Sequence, residues 1–220
     1  MKSIFQTPDK NIAIKAIRNA IDNFVRGYDL NNNHSNLFNL CQAYKDTLDK
    51  FAQSQEIIYG VSGEVYMREH VLPDNTVMHF AWSIQLIDQL IIKNNLQPKK
   101  MKIGPLVDWI DRNGLEQERL QHALKNDRPV YVIDYAPSNL EILVDGNHRV
   151  ASRIMMYENE NMLISSHLIP AKIHVKALIS SFQRAAFKIL SNVGRMVVYL
   201  DKLPHENKVK KPDLFYINIE

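Results

Sequence analysis

Glu141-Ile142-Leu143-Val144-Asp145-Gly146-Asn147-His148-Arg149-Val150-Ala151-Ser152 passes from an apolar run, through a short polar turn, into a helical pattern. Ile142 to Val144 is short, apolar and β-branched, as a buried strand is. Asp145-Gly146 supplies the positive-φ residue that a strand needs before it reverses into a helix. Asp145 or Asn147 can then accept from the first N–H groups of that helix, which have no partner inside it. The following helix is expected to carry Val150, Ala151, Ile154, Met155 and Tyr157 inward.

Upstream, Pro129-Val130-Tyr131-Val132-Ile133-Asp134 reads as a strand. Ala136-Pro137-Ser138-Asn139 is a turn and Leu140 to Val144 the returning strand, so the pair forms a hairpin. Downstream, Ile169-Pro170-Ala171-Lys172-Ile173-His174-Val175 is expected to be a further strand. Leu178, Phe182, Ala185, Ile189 and Val193 then mark a long helix closed by Gly194. Between residues 106 and 124, Gly114 divides two short helices. Phe80, Ile84, Ile87 and Ile91 mark another helix, preceded by a strand from Glu64 to Leu72 and a turn at Pro73-Asp74-Asn75.

The N-terminal region has a different texture. Ile14, Ile17, Ile21, Phe24, Val25 and Tyr28 recur at helical steps after Asp9 or Asn11, either of which can cap. A second stripe, Leu37, Leu40, Cys41, Tyr44, Leu48 and Phe51, follows Ser35. The two helices predict an antiparallel hairpin. The texture changes at Gly60-Val61-Ser62-Gly63. These patterns predict an α+β chain: a helical region over 1–59, an α+β domain over 60–178, and a C-terminal helix with a basic tail over 179–220.

The chain has 220 residues, of which 27 are Lys or Arg and 24 Asp or Glu, for a net charge of +3. So small and dispersed an excess does not by itself indicate nucleic-acid binding, which clusters its cations. Lys208-Val209-Lys210-Lys211 reads as a solvated tail. One cysteine, Cys41, excludes an internal disulfide, and its place on an apolar stripe makes it a buried structural thiol rather than a nucleophile. No apolar run is long enough to span a membrane, and residues 1–8 lack the apolar core of a signal peptide. A cytoplasmic protein is expected. The eight histidines include no pair three or four residues apart, and no Walker loop, Gly-x-Ser-x-Gly elbow or dinucleotide fingerprint occurs.

Chemistry therefore concentrates at the turn. Backbone N–H groups, a helix dipole and a cation converge there, which suits a phosphate. A simple turn and cap would use the same residues, with Arg149 facing water.

The order of elements around Asp145-Gly146-Asn147-His148-Arg149 resembles the ParB/sulfiredoxin-like superfamily, over roughly residues 60–178. The resemblance implies a mixed sheet with flanking helices and a nucleotide site at the strand-to-helix turn. It implies phosphate contacts from Gly146, Asn147, His148 and Arg149, with catalytic roles for Asp145 and His148. Asp145 would face Mg2+ bound with ATP or another nucleoside triphosphate, which would be hydrolysed or give up its phosphoryl group. Glu64, Asp108 and Asp111 are candidates for a second acid. Asn147 stands where sulfiredoxins carry their cysteine, and residues 179–220 leave no room for the DNA-binding helix-turn-helix of partition proteins. The alternative is a non-enzymatic DNA-associated or regulatory module of plasmid or phage type. In the nucleotide-binding reading, the N-terminal helices would serve a protein partner or a homodimer.

Overall fold

The computed structural model describes residues 10–59, 63–110, 114–206 and 208–217, so Asp9 and Gly60 to Ser62 lie outside the described residues. The chain is α+β and divides into two compact units, each discontinuous in sequence.

The first unit comprises residues 1–61, 67–82 and 178–220. Helices α1 (Lys10–Gly27) and α3 (Ser35–Gln53) flank a single turn, α2 (Leu30–Asn33). Their antiparallel register shows in three contacts. Lys10 donates to the Ser54 carbonyl, Arg18 pairs with Asp49, and Lys45 pairs with Asp22. Most of each predicted stripe is buried, Ile14, Ile17, Ile21 and Phe24 on α1 and Cys41, Tyr44, Leu48 and Phe51 on α3, while Val25, Tyr28, Leu37 and Leu40 are half-buried. Burial pushes the Cys41 thiol up to about 11, which keeps it protonated and inert.

Strands β1 (Val65–Val71) and β2 (Val77–Ser83) form a hairpin whose turn carries Asn75 at φ 63°, with Asp74 Oδ1 accepting from the Thr76 N–H. Phe80 therefore belongs to a strand rather than to the helix expected from its spacing with Ile84. Pairing with β1 and the complete burial of Phe80 and Trp82, two residues apart on one face, decide it. That helix, α4 (Ile84–Lys93), begins only after Ser83, whose hydroxyl caps it.

The second unit comprises residues 62–66 and 83–177. Its sheet has strand order β3-β6-β4-β5, built from β3 (Lys99–Lys102), β4 (Val130–Tyr135), β5 (Leu140–Asp145) and β6 (Leu163–Ile169). β4 pairs antiparallel with β5, with an irregularity between Tyr131 and Val132, and parallel with β6. The parallel pair needs a crossover, and helix α7 (Asn147–Tyr157) lies within it. Helices α5 (Gly104–Val107) and α6 (Gln117–Leu124) precede β4. Ile103, Leu106, Val130, Val132, Leu143, Val150 and Ile164 close one face of the sheet. On the edge strand β3, Lys99, Lys100 and Lys102 are exposed, which discourages pairing with another sheet.

Three further expectations are corrected. The strand expected at 169–175 is β6 ending at Ile169, then a helical turn, α8 (Ala171–His174), running into a 3-10 turn. Pro170, at φ −59° with no N–H to donate, ends the ladder and opens the turn. The last helix, α9 (Ser181–Lys202), belongs to the first unit and runs through Gly194 without stopping, because its apolar stripe continues to Met196 and Leu200. On α7, Val150 and Ala151 are buried as expected, but Met155 and Tyr157 are 67% and 53% exposed.

His174 is fully buried and donates from Nε2 to the Asp134 carbonyl at 2.8 Å, tying α8 to β4. Burial lowers its pKa to about 4 from an ordinary 6.5. The native state thus holds it neutral while the unfolded chain protonates it first, so stability is full above pH 6.5 and declines as pH falls toward 4. Between pH 7 and pH 5 this group alone is expected to cost about 2 kcal/mol. Urea denaturation of native and His174→Gln protein at both pH values checks it: the variant should lack that share of the decline.

Candidate functional site

The turn from β5 into α7 is built by a glycine. Gly146 adopts φ 103°, and a Cβ there would come within 2.5 Å of Val130 Cγ1. The residue is fixed by conformation and by the close approach of β4 together. Directly after it α7 starts with no side chain capping it. Val150 N–H reaches the Gly146 carbonyl at 3.0 Å, so the N–H groups of Asn147, His148 and Arg149 precede the first intrahelical bond.

Arg149 turns inward instead of toward a ligand. It is 6% exposed, and Nη1 donates to the carbonyls of Arg128 and Pro129 at 2.7 and 2.8 Å. Nη2 pairs with Asp145 Oδ2. One turn later Arg153 donates to the Arg149 and Asn126 carbonyls and pairs with Asp127 at 3.1 Å. Two arginines four residues apart thus hold the segment leading from α6 into β4. A carbonyl pair and a carboxylate satisfy the planar fork as a phosphate would, so the residue type alone does not choose between them.

His148 also serves the neighbouring backbone. Its Nε2 accepts from the Glu116 N–H at 3.1 Å, just before α6, which places the ring proton on Nδ1. Within the motif, the Asn147 Oδ1 is buried and has no hydrogen-bond partner. Glu64 and Asp108 are exposed, and Asp111 lies outside the described residues. Asp145 is the acid at the turn, and its Oδ2 is engaged.

A second polar cluster was not visible in the sequence. The Tyr131 hydroxyl donates to Asp88 Oδ1 on α4, and Arg128 donates to both Tyr131 Oη at 2.9 Å and Asp88 at 3.1 Å. Burial, with the Asp88 carboxylate second, raises the Tyr131 pKa and keeps the phenol a donor. Arg128 therefore binds α4 through its side chain and Arg149 through its carbonyl. Asp88 lies some forty residues upstream, and no local spacing connects it to the turn.

Among the described residues no cluster of three His, Cys, Asp or Glu could hold a metal, and no helix is long and apolar enough to cross a membrane. No family model matches the chain, nor does any curated protein or solved structure.

Two variants test this construction by urea denaturation. Gly146→Ala should lose about 2–4 kcal/mol from the left-handed backbone and the clash together. Arg149→Lys should lose about 3 kcal/mol, because an ammonium cannot serve two carbonyls and a carboxylate at once.

Proposed function

We propose that the chain binds a nucleotide through its phosphates at the start of α7. The observation that supports this is the uncapped helix N-terminus beside the buried, unpartnered Oδ1 of Asn147. Three N–H groups at the positive end of an eleven-residue helix are the ordinary receptor for a phosphate. Asn147 Oδ1 is an acceptor, which a ribose hydroxyl or a metal-bound water would complete. The reading joins this geometry to the resemblance of Asp145-Gly146-Asn147-His148-Arg149 to the ParB/sulfiredoxin-like motif.

In this reading the roles within the motif divide. Gly146 makes the turn, Arg149 fixes it from beneath, and Asn147 and the His148 backbone face the phosphate. Magnesium bound with a nucleoside triphosphate takes most of its ligands from phosphate and water, so the one carboxylate of Asp145 fits it as a partner. The metal would neutralise charge on the phosphates. Asp145 is held in place by Arg149, and His148 Nε2 is occupied by Glu116, so the geometry favours binding over hydrolysis or phosphoryl transfer.

Thermal-shift titrations with ATP, ADP, CTP and GTP, with and without magnesium, test the reading. A nucleotide at a hundred times its dissociation constant should add about 2.7 kcal/mol of stability. Asn147→Asp should abolish the response to nucleotide by repelling phosphate, with circular dichroism confirming that the variant folds. No response from native protein to any nucleotide would overturn the proposal. Salt-dependent binding of duplex DNA in its place would favour the regulatory alternative.

A further inference from the structure

In the first unit, residues 209–217 run without helix or strand past α9 and α3. One side chain anchors them. Phe215 is 7% exposed, while Asp213 and Tyr216 on either side of it are exposed, Tyr216 to 82%. Its ring meets Phe187 edge-on at 6.3 Å, and the Arg195 guanidinium lies 4.8 Å from the ring centre.

What holds the backbone there is a side chain. Asn192, on α9, is fully buried. Its Oδ1 accepts from the Phe215 N–H at 2.7 Å, and its Nδ2 donates to the Phe215 carbonyl at 2.9 Å. Nδ2 also donates to the Tyr44 hydroxyl at 2.7 Å, which fixes the amide's orientation from α3. Arg195 adds a bond to the Asp213 carbonyl. The carboxamide thus pairs with a single residue's N–H and C=O as a neighbouring strand would. Such a contact recognises an extended peptide whatever its sequence, and the Phe187–Arg195 slot adds a demand for an aromatic ring.

Upstream of the anchor the segment is less buried, with Lys211 and Asp213 exposed and Pro212 and Leu214 half-buried. There Lys211, Pro212 and Leu214 line an open pocket of about 390 Å³ together with Leu37 and Tyr199. If the segment left, the Asn192 amide would return to water, where its bonds are replaced, so the net hold of each bond is small.

We propose that the first unit contains a peptide-recognition site for an extended segment bearing an aromatic residue, and that residues 208–217 occupy this site in cis. The connection to α9 raises their effective concentration. An external peptide of the same chemistry competes for the slot and displaces the segment. This site is independent of the nucleotide reading.

The test uses the full chain. A site-specific protease sequence is inserted after Glu206 and cut after folding, and a fluorescent peptide of residues 208–217 is added. The peptide is expected to exchange into the nicked protein, read as a rise in anisotropy. A peptide with N-methyl-phenylalanine at 215 keeps the ring but lacks the N–H, and should bind about tenfold more weakly. Replacing Phe215 by alanine in the peptide should cost roughly a hundredfold. Circular dichroism of the nicked protein separates the adverse outcomes. Unfolding on cleavage, or intact helix signal without exchange, would make the segment a permanent part of the core. Equal affinity of the N-methyl peptide would remove Asn192 as its reader. Each of these overturns the proposal.

Discussion

The second unit depends on where one guanidinium points. Arg149 lies under the β5–α7 turn, donates to the carbonyls of the two residues that lead into β4, and pairs with Asp145 at the end of β5. One planar group thereby fixes the spacing of two adjacent strands and the start of the crossover helix. A buried cation is costly unless every donor is answered. Here the answer comes from backbone carbonyls, which cannot drift away as a side chain can. Gly146 completes the arrangement by letting Val130 approach to a distance that any side chain would forbid.

The local parts of this construction were legible. The β4–β5 hairpin and the start of α7 follow from β-branched runs broken by Ala136-Pro137-Ser138-Asn139 and Asp145-Gly146, because turns and short strands are encoded by neighbours. The N-terminal pair of helices was legible for the same reason, since both stripes repeat at helical steps. The destination of Arg149 was not. Its carbonyl partners lie 20 and 21 residues upstream, and an arginine serves carbonyls, water and phosphate with the same fork. Strand β3 carries three lysines and no alternating apolar face, so no pattern announced it. Phe80 fell four residues before Ile84 and so mimicked a helical step, although it ends in a strand.

The turn and the C-terminal segment present the same chemistry from opposite sides. At the turn, an arginine side chain satisfies backbone carbonyls and leaves helix N–H groups uncapped. At α9, an asparagine side chain satisfies both backbone groups of Phe215. In both places a buried polar side chain takes the role that a neighbouring strand would otherwise fill. The positions are specified by tertiary contact rather than by local propensity.

The discontinuity of the first unit sets an order of events during synthesis. Roughly 130 residues separate the end of α3 from the start of α9. All of the second unit lies in that interval and is finished first. At about 5–20 residues per second, α1 and α3 wait on the order of 6–25 seconds before α9 leaves the ribosome to cover them. Through that time Ile17, Leu48 and their neighbours offer an apolar face to the cell. Slower translation lengthens that exposure, so the speed of synthesis sets how long the nascent chain is open to aggregation.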